Sequence, residues 1–237
     1  MIEIKRYIFN TEYFNNINTA DKAYWLGFIW SDGYIAKRDR GKHFEYNLKI
    51  ALKESDYHHL EKFVKNINGN YPIHFYDSTG FKNQETKSRE CRIFITNKKV
   101  VSYLYEDLGI IPRRTNPNKL IEIIPENLHK YFILGVFDAD GSFSAYQKDT
   151  YGEKLNVAFG GSIQLLNFIQ RHLIEKEIIK DSCRKLTQRH ENKDGDWKTL
   201  SFSGKVQGMK ILNYLYNSPI YLDRKYQKYL DLPYHNN

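Results

Sequence analysis

Cysteine, methionine and proline are scarce in this chain: two, two and six copies in 237 residues. Cys91 and Cys183 do not fall at equivalent points of the internal repeat described below. A disulfide framework and a thiolate metal site are therefore not expected, and a reducing intracellular compartment is. Met1 to Asn10 holds no apolar run of the kind a secretory signal needs, so no signal peptide is expected. The apolar stretches fall well short of the roughly 20 residues that span a bilayer, which leaves no membrane partner. Glycine-rich phosphate cradles are missing too, Gly160-Gly161 being an isolated pair. Acidic charge is the minority, 28 Asp and Glu against 36 Lys and Arg, for a formal net charge of +8. Such an excess favours a polyanionic partner such as nucleic acid.

Two stretches stand out against this background, and they are one stretch twice. Tyr24-Trp25-Leu26-Gly27-Phe28-Ile29-Trp30-Ser31-Asp32-Gly33 matches Phe132-Ile133-Leu134-Gly135-Val136-Phe137-Asp138-Ala139-Asp140-Gly141 at a spacing of 108 residues. Leu, Gly, Asp and Gly are identical, and only Trp30 against Asp138 differs in character. Each stretch is apolar almost all round, so as a helix it is buried on nearly every side. Gly27 and Ser31, like Gly135 and Ala139, are four apart and share one helix face. Two such strips of small residues let two helices meet backbone to backbone. Gly33 and Gly141 are expected to end the helices in the left-handed conformation. Asp32 and Asp140 then lie in the last turn, where the helix dipole disfavours a carboxylate. Brought together, the two would repel, and a divalent cation with oxygen ligands is the natural neutraliser. The plainer alternative is a buried helix ending in an ordinary Asp-Gly turn, which explains one copy better than two.

The rest of the chain repeats in step. After each motif the pattern gives two strands, a helix, two strands and a helix, so each half reads αββαββα. Phe44 to Leu52 alternates cleanly as a half-buried strand. The second half runs through strands 142–146, 155–159, 183–188 and 197–202 and helices 163–175 and 206–216, with a terminal amphipathic helix over 220–230. The expected division is an N-terminal half at 1–109, a basic linker at 110–125 and a C-terminal half at 126–237. The adjacent pair His58-His59 points two ways from one helix and reads as surface rather than metal site. The segment 221–226 reads as packing plus solvated charge.

At its two motifs the sequence resembles the LAGLIDADG homing endonucleases in their monomeric two-motif form. The second copy fits the nine-residue signature closely; the first departs at Trp30, where the family usually has its first Asp. Trp30→Asp is accordingly expected to be tolerated. The resemblance implies an α+β fold of two pseudo-symmetric halves, motif helices packed at the centre, and a saddle-shaped sheet surface over DNA. It implies a site-specific double-strand DNA endonuclease that uses Mg²⁺, with Mn²⁺ as substitute and Ca²⁺ binding without supporting cleavage. Asp32 and Asp140 would be the metal ligands, helped by the carbonyls of Ser31 and Ala139. A basic residue at the strand end near the metals would be Lys98 in one half and Lys205 in the other, with Lys99 a rival to Lys98. Lys53 has no assigned place. Strand alternation puts Tyr34, Ala36, Arg38 and Arg40 on one face, and Ser142, Ser144, Tyr146 and Lys148 on its counterpart. Asn47, Lys49, His74, Tyr76, Thr199 and Ser201 fall on polar strand faces by the same count. Polar side chains on a ribbon that fits the major groove can read base edges. Rival readings are an intron RNA maturase or a catalytically inactive DNA binder on the same scaffold, and a basic coat protein, which leaves the repeated Asp-Gly helices unexplained.

Overall fold

The computed structural model describes residues 7–78, 88–112, 116–148, 152–180, 186–188 and 197–234. Two compact units emerge: Met1–Ile17 with Asp32–Pro112, and Asn18–Ser31 with Arg113–Asn237. The first motif helix, α1 (Ala20–Asp32), is thus built almost entirely into the unit that carries the second, α5 (His129–Asp140).

The first unit is a four-stranded antiparallel sheet, β1 (Tyr34–Asp39), β2 (Phe44–Lys53), β3 (His74–Ser78) and β4 (Ser88–Ile95), in the order β1-β2-β4-β3. Alternation decides its two faces. Tyr46, Leu48, Ile50 and Leu52 are buried, while Glu45, Asn47, Lys49 and Ala51 between them are not. The buried face joins Ile93 and Ile95 of β4 to helices α2 (Tyr57–Asn66) and α3 (Lys98–Ser102). Leu60, Phe63 and Ile67 give α2 its apolar stripe. Phe9, Tyr13, Phe14 and Ile17 are buried in the stretch that precedes the first motif. That stretch is therefore part of a core. Past α3 the helix widens into a π-type turn, Tyr103–Asp107, and Gly109 closes it at φ 70°, with Ile110 N–H donating to Leu104 O at 2.9 Å.

The second unit repeats the plan. Strands β5 (Ser142–Lys148), β6 (Gly152–Ser162), β7 (Leu186–Gln188) and β8 (Trp197–Ser203) form a sheet ordered β5-β6-β8-β7. Helices α6 (Ile163–Glu175) and α7 (Lys205–Tyr216) cover it, and α8 (Asp223–Leu230) follows. Ser162 caps α6, its hydroxyl accepting from Leu165 N–H at 3.3 Å. The expected strand 183–188 is seen over 186–188, its first three residues lying outside the described ones. Within the stretch expected as linker, residues 118–123 form a short helix, α4 (Asn118–Ile123).

Two histidines lie in these cores rather than on surfaces. His59, expected on a surface helix, is 1% exposed. Burial, then the charge of Lys62, pulls its pKa down to about 3. His172 is pulled down to about 4 by burial and by His129, with Nε2 2.8 Å from the Tyr214 hydroxyl. Both fold as neutral imidazoles, whereas the unfolded chain binds their protons near pH 6.5. Unfolding takes up protons below that value, so their stabilisation is full above pH 6.5 and disappears as pH falls toward 4 and 3. Urea melts of the parent should weaken from pH 7 to pH 5 more than those of His59→Leu; parallel profiles would remove His59 as a cause.

Candidate active site

The two motif helices cross where glycine leaves room. A Cβ on Gly27 would fall on the carbonyl oxygen of Phe132, with Phe132 C only 3.0 Å away. One on Gly135 would fall on Tyr24 O and lie 2.8 Å from Phe28 N. Backbone thus meets backbone, and Tyr24, Trp25, Phe28, Phe132 and Phe137 are fully buried around the crossing. Asp32 closes α1 and is exposed; Asp140 closes α5 and is half-buried, as are Ser31 and Ala139.

The helix ends differ from the expected left-handed glycine. Gly141 is extended, at φ −80° and ψ 165°, and Gly33 is not among the positive-φ glycines. Glycine is required at 141 for space: a Cβ would sit 2.6 Å from Phe137 O and collide with the Phe137 ring. Phe137 O keeps its helical donor, Gly141 N–H at 2.8 Å, and takes a second donor that it shares with Gly141 O. Lys225, read from sequence as solvated charge, is 7% exposed and donates from Nζ to Phe137 O and Gly141 O, both at 2.6 Å. Lys228 Nζ donates to Phe143 O at 2.5 Å. A positive charge at the negative end of the helix dipole is favourable.

Asp138 sits beside this cap, 2% exposed. It accepts from Tyr24 OH at 2.9 Å, Tyr216 OH at 3.1 Å and Leu222 N–H at 2.7 Å. Burial pushes its pKa up to about 6, and the charge of Lys225 pulls the other way. The matching residue in α1, Trp30, is 4% exposed. Asp138 is bearable because three donors meet it. A bare carboxylate at position 30 would be buried in a pocket shaped for an indole, so Trp30→Asp should destabilise rather than be tolerated. Lys225→Met should cost about 2 kcal/mol, the worth of hydrogen bonds from a charged group. Thermal melting checks this, and an unchanged midpoint would show that water satisfies the α5 carbonyls equally well.

The basic candidates open helices. Lys98 is the exposed first residue of α3, behind the Asn97 cap that accepts from Val100 N–H at 3.3 Å. Its rival Lys99 is paired with Glu12. Lys205 opens α7 after Gly204, whose φ of 133° suits glycine alone; its Nζ stands 4.7 Å from the Tyr234 ring.

The strand residues fall into register. Across the first sheet Tyr34 faces Lys49, Ala36 faces Asn47 and Arg38 faces Glu45, all on the side away from the buried face. His74 and Tyr76 share that side, opposite Arg92 and Glu90. Arg40 lies past the end of β1, in the turn, paired with Glu45 at 2.6 Å. In the second sheet Ser142, Ala158 and Ser201 form one row, and Ser144, Asn156 and Ser203 the next. Thr199 faces Gly160, and Tyr146 is 44% exposed. Lys148 is placed on β5 opposite Gly152, its side chain outside the described residues. Arg92 and Phe94 also belong to the outer face of the first sheet. Counting outward from buried Cys91, Ile93 and Ile95 would have found them.

Each helix end by itself offers a carboxylate and backbone carbonyls, oxygen donors of the kind a hard cation such as Mg²⁺ takes while keeping several waters. Among the described residues, no group of three or more His, Cys, Asp or Glu side chains could hold a metal ion.

Two helices that each end on an Asp-Gly step, and two sheets of identical strand order, recur in solved structures of similar fold. Meganuclease I-SmaMI, solved bound to uncleavable DNA, superimposes with a TM-score of 0.56 at 13% identity, over 88% of this chain and 87% of that one. The LAGLIDADG homing endonuclease I-GzeII, in complex with its DNA target, gives 0.52 at 14% identity, over 88% and 87%. I-LtrWI, bound to target DNA, gives 0.54 at 15%, over 93% and 89%. No family model matches the sequence, and no curated protein matches it. The chain has the fold of the LAGLIDADG homing endonucleases, with both motifs on one polypeptide.

Proposed function

We propose that the protein is a sequence-specific, double-strand DNA endonuclease of the homing type, acting as a monomer on a long duplex site. The observation that carries this is the backbone-to-backbone crossing of α1 and α5, two copies of one motif that each end on an Asp-Gly step. Support comes from the DNA complexes of proteins of like fold, I-SmaMI, I-GzeII and I-LtrWI. I-SmaMI has also been solved on uncleaved target in the presence of calcium ions.

In this reading Asp32 and Asp140, with the carbonyl oxygens of Ser31 and Ala139, hold Mg²⁺. Mn²⁺ substitutes, and Ca²⁺ binds without supporting cleavage. The metal, when bound, activates water and offsets charge on the phosphoryl oxygens. Lys98 and Lys205 supply positive charge that stabilises the developing oxyanion or orients the water. Residues 1–109 and 126–237 each bring one sheet to the duplex. Tyr34, Arg38, Asn47, Lys49, His74 and Tyr76 read bases or hold phosphates on one, with Arg40 from the turn. Ser142, Ser144, Tyr146, Lys148, Thr199 and Ser201 do so on the other.

The test is selection of a site from a randomised duplex library, followed by cleavage of a plasmid that carries it. Linear product should form with Mg²⁺ and not with EDTA. Affinity should fall steeply with salt, because Lys and Arg contacts release counterions from the phosphates. Lys49→Ala and Arg38→Ala should each lower the salt slope by about one if they hold phosphates. Salt-indifferent binding, or specific binding with no cut in either Mg²⁺ or Mn²⁺, would sink the proposal.

A further inference from the structure

The outer face of the first sheet is not uniformly polar. Phe94 stands on β4, 36% exposed, between Ile93 and Ile95, which point to the buried side. His74 and Tyr76 of β3 gather beside it, with ring centroids 6.3 and 6.4 Å from that of Phe94. Arg92 lies against Tyr76 at 4.6 Å and is held by Glu90 at 2.8 Å. Lys49 is the direct ladder partner of Phe94. The sheet has its core on the other side, so these rings add little to folding. Phe94 and Tyr76 leave over a third of their surface to water, where apolar area is costly unless something covers it. A face meant only for phosphates or polar base edges has no use for a phenylalanine.

In the major groove the bases present nitrogen and oxygen groups, and thymine alone adds a methyl group, at C5. We infer that Phe94, His74 and Tyr76 form a thymine-reading subsite that seats the C5-methyl of a pyrimidine in the target, with Lys49 beside it toward the phosphates. The partner, duplex DNA, rests on the function proposed above. The same methyl is carried by 5-methylcytosine, so the recognised group is the methyl and not the base's hydrogen-bonding edge.

The experiment uses the full chain and the duplex it enriches from a randomised library. Each thymine is replaced in turn by uracil, which removes the methyl and nothing else. At one to three positions the affinity should fall about fourfold, the worth of one buried methyl. Replacing a T·A pair there by 5-methylcytosine·G should bind more tightly than cytosine·G by a similar factor. Phe94→Ala should bind thymine and uracil sites equally while keeping the parental melting midpoint, and Phe94→Leu should restore part of the difference. Uracil tolerated at every position, a thymine preference unchanged in Phe94→Ala, or the single strand bound as tightly as the duplex would each overturn the inference alone. Failure of any duplex to enrich would overturn the proposed function and this subsite with it.

Discussion

Asp32→Asn and Asp140→Asn should each abolish double-strand cleavage while the fold and DNA affinity remain. Asparagine keeps the size of aspartate and one side-chain oxygen but loses the charge. Magnesium is a hard cation that gives up water reluctantly and is held by anionic oxygen. At each helix end the backbone offers only partial negative charge, so the carboxylate is the strongest donor present. Metal stabilisation of the transition state is worth several kcal/mol, and each 1.36 kcal/mol is tenfold in rate, so a loss of about a thousandfold or more is expected. Cleavage rate, melting midpoint and binding should be measured on the same preparations. Parental cleavage by either variant in Mg²⁺ would remove that aspartate from the reaction.

Gly27→Leu and Gly135→Leu should damage the fold and the chemistry together. A side chain at 27 must displace the carbonyl of Phe132, and one at 135 must displace that of Tyr24. Neither neighbour is the far end of a flexible side chain; both are helix backbone in a fully buried seam. Ordinary overpacking costs about 1–3 kcal/mol, and forced backbone movement puts these changes at or above the top of that range. A loss near 3 kcal/mol should lower the melting midpoint by roughly 10 °C in a chain of this size. The cleavage rate should drop about a hundredfold, since small misplacements of reacting groups cost that much. A Gly27→Leu protein that melts and cuts like the parent would disconnect the helix seam from the active site.

The parts legible in the sequence are those governed by short-range periodicity. The duplicated motif located both helices and their crossing glycines, and period-two alternation put Asn47, Lys49, His74 and Tyr76 on the polar faces of their own strands; the strand register is what joins them with Tyr34 on one side of the sheet. Gly141 was legible as a helix end but not in its reason, because an Asp-Gly step suggests a left-handed turn while the collision with Phe137 exists only after packing. Lys225 and Asp138 were illegible as a pair. Asp138 meets Tyr24, Tyr216 and Leu222, and Lys225 meets the carbonyls of Phe137 and Gly141, partners brought together only by tertiary structure. A lysine in an amphipathic helix looks the same in sequence whether its ammonium faces water or the end of another helix.

The cap on α5 also sets an order in time. The lysine that donates to Phe137 O and Gly141 O comes 88 and 84 residues later in the chain. During synthesis α5 leaves the ribosome without this lysine, its Phe137 O held by Gly141 N–H alone and Gly141 O lacking the Lys225 donor, until α8 follows. A nascent chain halted before Lys225 therefore holds both Asp-Gly helices but presents Asp140 on an unfinished end. The lysine cap is an interlock: the end of α5 that carries Asp140 reaches its finished geometry only once α8 has been made.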